Sequence, residues 1–261
     1  MLSYQHIYHA GNLADVQKHA LLCAMLGYMT QKEKPLTYLE THAGRGLYQL
    51  DAPEAVKTGE AAAGIDLIEA QGLLPADHPY VQALARVRSV HGARAYPGSP
   101  LLAAECLRPQ DKMYLAELHP QEYAGLDYVM SAFGAHVVRQ DGFAMAQAVT
   151  PPEPRRGMVL IDPSYEVKAD YDTIPRVIAQ LHRKWNVGVI ALWYPILTSG
   201  AHLPMLAALE AQEQPKVLRH EVRFPPARDG HRMVGSGLFV VNTPYGTQEE
   251  AARLSTVFSA L

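Results

Sequence analysis

Four short apolar runs in this chain each stop at an acid or a glycine turn, and each is followed by residues with helical spacing. Leu36–Glu40 leads into Thr41-His42-Ala43-Gly44-Arg45-Gly46, and Lys112–Glu117 stops at Glu117. His136–Arg139 leads into Asp141-Gly142, and Met158–Ile161 into Asp162-Pro163-Ser164-Tyr165. Buried strands alternating with helices predict a mostly parallel α/β sheet covered on both faces. Such sheets bind ligands beyond the carboxyl ends of their strands. The polar residues at these four ends are therefore the first candidates for function.

The remaining pattern fills in the fold. A helix is expected over 13–30, after an irregular segment from Ser3 to Asn12. Further helices are expected at 101–107, 120–133, 143–149, 171–184, 201–212 and 247–260, with a fifth parallel strand at 188–193. Strands at 216–224 and 237–242, joined by a polar loop, suit an antiparallel edge. Between Leu47 and about Tyr96 no clear strand is expected. Helical stretches at 58–71 and 79–91, broken by Pro75 and Pro79, make residues 47–97 a helical insertion after the first strand. A crossover between parallel strands needs only one helix. No linker marks a second domain, so residues 1–261 read as one domain carrying an insertion subdomain.

Composition narrows the function classes. The chain has 261 residues, 48% of them hydrophobic, which is enough for a sizeable core. A formal net charge of −3 excludes a polycation but leaves room for a local basic patch. Cys23 and Cys106 cannot form a disulfide framework and are expected as buried free thiols, which fits a reducing, cytoplasmic setting. The first residues lack the charged start and apolar run of a signal peptide. The longest apolar run, Val187–Leu197, is well short of the roughly 20 residues that span a bilayer. No HExxH occurs and no cysteine pairs with a histidine, so no metal site is expected.

The strand ends do not fit a dinucleotide. Gly44-x-Gly46 lacks a third glycine, and the next strand-end acid, Glu117, lies far downstream. Acids at successive strand ends better suit a ligand without phosphates, such as S-adenosylmethionine. A carboxylate after the second strand would then hold its ribose, and a polar group after the third its adenine. Asp162-Pro163-Ser164-Tyr165 resembles the Asp/Asn-Pro-Pro-Tyr motif of amino-group methyltransferases. There a carboxylate and a backbone carbonyl accept the two hydrogens of a poorly nucleophilic amino group and free its lone pair. The aromatic fourth residue stacks on the flipped base. Asp-Pro-Ser is also ordinary turn chemistry, and Asp141 could serve only as a helix cap.

The resemblance extends along the chain. MLSYQHIYHAGNLADVQKH, YLETHAGRGLYQL, YPGSPLLAAECLR, ELHP, DGF, RRGMVLIDPSYE and ALWYP occur in the order found in the RlmJ family of bacterial 23S ribosomal RNA adenine-N6 methyltransferases. The resemblance implies a Rossmann-like S-adenosylmethionine-dependent methyltransferase fold. It also implies S-adenosylmethionine as methyl donor, 23S ribosomal RNA as partner, a monomer, and no metal. Position by position, Lys18, His19, His42, Gly44, Ser99, Glu117, Asp141, Gly142 and Asp162 would line the cofactor site. Asp162, Pro163 and Tyr165 would be catalytic. Tyr4, Ser164 and Tyr165 would meet the substrate base. Ser164 departs from the family's second proline; the Pro163 carbonyl is kept, while some rigidity is lost.

Other polar residues keep two readings. His6 and His9, with Lys18 and His19, face RNA phosphates or form a polar segment. The loop Arg228-Asp229-Gly230-His231-Arg232 is an RNA contact or a plain connection. Arg155-Arg156 precede the fourth strand and read as a solvated loop. Trp193-Tyr194-Pro195 packs the core or stacks on a base. Rival functions are a DNA adenine or protein-glutamine amino-methyltransferase and a non-catalytic protein that binds S-adenosylmethionine and RNA.

Overall fold

The computed structural model describes residues 4–226, 230 and 232–261. A 3-10 turn at His6–Tyr8 precedes α1 (Leu13–Met29) and β1 (Thr37–Glu40). The insertion follows as β2 (Leu47–Gln49), α2 (Pro53–Thr58), α3 (Ile65–Ala70), α4 (Pro79–His91) and β3 (Ala95–Pro97). Then come α5 (Ser99–Cys106), β4 (Lys112–Ala116), α6 (Pro120–Met130), β5 (His136–Val138), α7 (Gly142–Val149) and β6 (Gly157–Ile161). The chain ends with α8 (Asp170–Lys184), β7 (Val189–Leu197), α9 (Leu203–Glu210), β8 (Leu218–Arg223), β9 (Met233–Val241) and α10 (Thr247–Ser259).

The main sheet has seven strands in the order β5-β4-β1-β6-β7-β9-β8. Five are parallel, and β9 runs antiparallel to both β7 and β8, as the sequence predicts for the edge. From β1 the chain steps outward through β4 and β5 on one side and through β6 and β7 on the other. The order therefore reverses between β1 and β6, and a crevice opens beyond their carboxyl ends.

Alternation along each strand feeds two cores. Met158 and Leu160 of β6 join α1, α4, α5 and α10 on one face, while Val159 and Ile161 join α8 and α9 on the other. Helix α1 is apolar nearly all round and is buried along almost its whole length. It packs against α4, α5, α10 and β9. Its start is fixed by Asn12, whose side chain accepts from the Asp15 N–H at 2.9 Å.

The insertion differs from the sequence reading in two ways. It is not strandless: β2 and β3 pair antiparallel, with Tyr48 opposite Tyr96, so the segment leaves and returns through a two-stranded ribbon. Strands of three residues are too short to show an alternating pattern. Of the helix expected over 58–71 only α3 forms; residues 59–64 are not helical, and α2 lies before that stretch. The insertion also shares the α1 core, through Leu50, Ile65, Tyr80 and Tyr96. Both cysteines are free; Cys23 is buried, but Cys106 is partly exposed because it lies in the last turn of α5.

Leu21 of α1 is fully buried in the core that includes residues of both sheet and insertion. Leu21→Ala should lower the unfolding free energy by about 2–5 kcal/mol in urea titrations followed by circular dichroism. A loss below about 1 kcal/mol would mean that α1 is not the shared core of sheet and insertion.

Candidate active site

The carboxyl ends of the parallel strands open into a cavity of about 620 Å³, the size of a small-molecule site. Its wall includes Tyr4, Lys18, His19, His42, Gly44, Ser99, Glu117, Asp141, Gly142, Asp162, Pro163, Ser164 and Tyr165. The fold thus brings every candidate position to one place.

An ion network floors the cavity. Lys18 Nζ lies 2.7 Å from Asp162 Oδ2 and 3.1 Å from Asp15 Oδ1, tying α1 to the end of β6. Burial opposes the charge on Lys18, but Asp162 and Asp15 outweigh it and hold the ammonium above its ordinary range. Burial likewise opposes the charge on Asp15, yet His6 and Lys18 pull its carboxyl well below the usual range. Asp15 Oδ2 also meets His6 Nε2 at 2.8 Å and accepts from the Gly11 N–H at 3.0 Å. The chain of contacts continues to Tyr4, whose hydroxyl is 2.8 Å from His6 Nδ1. His9 meets Glu60 at 3.0 Å. The histidines and lysine of the first nineteen residues are therefore engaged within the protein, not arrayed toward solvent phosphates.

The turn after β6 leaves acceptors open. Asp162 Oδ1 and the Pro163 carbonyl accept no hydrogen bond from the described residues. Tyr165 is held with a φ of 58°, an uncommon conformation for a non-glycine residue. Its hydroxyl donates to the Trp193 carbonyl at 2.7 Å, and its ring lies 4.7 Å from that of Tyr171. Trp193 joins the cavity wall, with Lys18 Nζ 5.5 Å from its ring centre. Its indole N–H donates to Ser236 Oγ at 2.8 Å. The Ser164 hydroxyl accepts from the Glu166 N–H at 3.4 Å, and Glu166 in turn accepts from the Tyr4 N–H at 3.0 Å. The amino-terminal segment thus closes over this turn.

The β1 and β4 ends form the opposite wall. Glu117 accepts from the Gly44 N–H at 2.9 Å and the His119 N–H at 2.8 Å. Burial nevertheless pushes its carboxyl above the ordinary range. Gly44 has a φ of 62°, and a side chain there would meet the Tyr48 hydroxyl. At Gly142 a Cβ would collide with the Thr41 carbonyl, so the α7 start can approach β1 only as glycine. Asp141 caps α7 by accepting from the Ala144 N–H at 2.8 Å and still borders the cavity. The Ser99 hydroxyl donates to buried Glu40 at 2.5 Å. His19 Nδ1 meets the Tyr96 hydroxyl at 3.0 Å, while its Nε2 is buried 3.8 Å from Asp15 Oδ1 with no hydrogen-bond partner among the described residues. A buried polar atom at a cavity wall is ready for a ligand's hydrogen-bonding group.

Sequence reasoning missed Asp15, and it named His6 and Glu40 without their partners, Asp15 and Ser99. Asp15 had a signal, since it sits one helical turn before Lys18. The pairing of His6 with Asp15 had none, because an irregular segment positions it. Among the described residues, no group of three or more His, Cys, Asp or Glu is placed to hold a metal, and no helix is long and apolar enough to cross a membrane. Of the proposed RNA loop, Arg228, Asp229 and His231 lie outside the described residues.

These burials set a pH dependence. Burial holds His19 down at about 3 and His42 at about 4, and drives Glu40 up to about 8. Between about pH 4.5 and 6.5 the unfolded chain binds protons at both histidines that the folded chain does not. The folded chain holds one at Glu40 that the unfolded chain has lost. The unfolded state then binds one more proton, so stability rises with pH by about 1.4 kcal/mol per unit. From pH 6.5 to about 8 Glu40 is the one of these three that counts, and its contribution falls at a similar rate. Lowered His202 and His220 steepen the acid side, and the raised Glu117 opposes them. Urea unfolding across this range should show a maximum near pH 6.5, and Glu40→Gln should remove the alkaline decline. A curve that keeps rising to pH 8 would contradict the buried state of Glu40.

Comparison with known proteins follows the same lines. The family model described as Ribosomal RNA large subunit methyltransferase D, RlmJ, matches residues 33–259. Ribosomal RNA large subunit methyltransferase J of Escherichia coli (strain K12) is 40% identical over 252 residues, covering 96% of this chain and 90% of the relative. The protein of that name from Haemophilus influenzae is 41% identical over 250 residues, covering 94% and 88%. A crystal structure of a Legionella pneumophila protein superposes with a TM-score of 0.85 at 36% identity, covering 96% of this chain and 94% of the other. The METTL16 methyltransferase domain shares the fold alone, with a TM-score of 0.52 at 11% identity over 88% of this chain and 68% of its own. The mostly parallel seven-stranded sheet is thus the Rossmann-like methyltransferase fold. Matched by that family model over most of its length, this chain belongs to the RlmJ family of ribosomal RNA large subunit methyltransferases.

Proposed function

We propose that this chain transfers a methyl group from S-adenosylmethionine to the N6 amino group of an adenine in 23S ribosomal RNA. The observation that carries this reading is the turn after β6. Asp162 Oδ1 and the Pro163 carbonyl accept no hydrogen bond from the described residues, and both residues line the cavity with Tyr165 and Trp193. Two acceptors side by side match the two hydrogens of an exocyclic amino group. Accepting both turns the nitrogen lone pair out of the ring system.

The cavity residues suit the donor. His19 Nε2 offers a buried nitrogen without a hydrogen bond among the described residues, and burial keeps that ring neutral. Glu117 has lone pairs left beyond its two amide contacts, enough to accept from a ribose diol. Asp141 and Gly142 border the adenine end of this reading, with His42 and Phe143 edge to face at 5.1 Å. Lys18, Gly44, Ser99 and Asp162 complete the wall toward the reacting atoms. When bound, the donor supplies an electrophilic methyl group on a sulfonium sulfur.

In the transfer itself the protein positions and neutralises. Lys18 holds one carboxylate oxygen of Asp162, so the other points at the amino hydrogens without swinging away. Asp162 takes on the proton that the nitrogen sheds as its bond to carbon forms. Tyr165 and Tyr4 flank the base, the first locked through the Trp193 carbonyl and the second through His6. Direct displacement at a methyl carbon needs no nucleophilic side chain. In this reading the enzyme is a cytoplasmic monomer, the state that the family resemblance implies.

Asp162→Ala keeps most of the cavity wall but removes the acceptor. With labelled donor and unmodified 23S transcript, its turnover should fall about a hundredfold or more. Near-native turnover would sink this mechanism. Label entering DNA or protein in preference to RNA would favour the rival amino-methyltransferases.

A further inference from the structure

Four turns converge at the end of the sheet remote from the cavity, formed by residues 30–36, 107–112, 150–157 and 182–188. Hydrogen bonds fix their proximity. The Lys34 carbonyl accepts from both Arg156 Nη1 at 2.9 Å and Arg108 Nη2 at 3.1 Å. Lys112 Nζ donates to the Glu153 carbonyl at 2.7 Å, and the Trp185 indole N–H to the Arg155 carbonyl. These turns hold eight of the chain's 23 Lys and Arg but only three of its 26 acids. One of those acids, Asp111, is buried and already paired with Arg108. Arg108, Lys112, Arg156 and Lys184 donate to carbonyl groups, which anchor them without cancelling their charge. Arg156 reports the crowding: burial and the nearby Arg108 guanidinium hold it below its ordinary range. Lys32, Lys34, Lys112, Arg155 and Arg183 are exposed. On a chain of net charge −3, so local an excess is a built feature of one surface.

We propose that this basic end is a second RNA-docking surface, which holds the phosphate backbone of the substrate away from the base being modified. The inference rests on the reading that the substrate is ribosomal RNA. Arg156 and Asp162 flank β6, whose five residues put about 20 Å between them. Several phosphates of an RNA strand span that distance. A structured RNA can therefore lie along the flank of the domain with one end at each site. Flexible, exposed cations suit this task, because phosphate contacts position a nucleic acid without reading its sequence.

The double variant Lys34→Glu, Arg155→Glu tests this with neither residue in the cavity. For a 23S transcript, its KM should rise about tenfold and the slope of log affinity against log salt should shrink by about two. Turnover at saturating RNA and donor affinity should stay native, as should the melting temperature. Lys34→Gln with Arg155→Gln should shift KM in the same direction by less. A four-nucleotide RNA centred on the modified adenosine cannot span both sites, so its KM should be unaffected. An unchanged salt slope with the transcript, or an equal loss with the short RNA, overturns the proposal. Failure of the native enzyme to methylate either RNA overturns instead the function on which it rests.

Discussion

A lysine buried between two carboxylates organises this protein's site. An ammonium out of water is costly unless fully paired. Lys18 meets this demand with Asp15 from its own helix and Asp162 from the end of β6. Because the pair must form, α1 has to lie over the sheet in one register. That register places His19 on the cavity wall and brings the irregular segment around His6 against Asp15. The same contact fixes which oxygen of Asp162 remains open. Structure and chemistry thus share one constraint, and breaking it would leave an unpaired charge in the core.

The sheet supplies the complementary constraint. Reversal of strand order between β1 and β6 creates the crevice, and short parallel strands deliver His42, Glu117, Asp141 and Asp162 to its rim. Close backbone approach at Gly142 draws α7 against β1, so the rim is narrow enough for one ligand to touch several strand ends. The insertion adds Tyr48 to this wall and, through Tyr96, holds His19. It thereby couples a peripheral segment to the cavity wall.

Much of this was legible in the sequence because it depends on local pattern. Met158–Ile161 is apolar without a break, so it reads as a buried strand, and the acid that stops it reads as a site. The antiparallel edge was visible from two runs and a polar loop. What escaped had no local signature. The β2–β3 ribbon is stabilised by tertiary burial of Tyr48 and Tyr96, not by strand periodicity. The contact of His6 with Asp15 joins an irregular segment to a helix, and no spacing rule describes it. Arg155 lies exposed in the loop before β6, as the sequence reads, but the approach of Lys34 and Arg108 to Arg156 joins segments distant in sequence. The Tyr165 conformation likewise follows from its tether to Trp193, a residue of another strand.

The central claim is that two open acceptors beside an aromatic wall prepare an adenine amino group for methyl transfer. Nucleoside analysis of unmodified 23S ribosomal RNA, after incubation with the enzyme and methyl-labelled S-adenosylmethionine, tests it most directly. The account predicts that the label appears as N6-methyladenosine. Label on a ring nitrogen, a ribose or a cytosine carbon would contradict it, because none of these presents the two hydrogens that Asp162 and Pro163 are placed to accept.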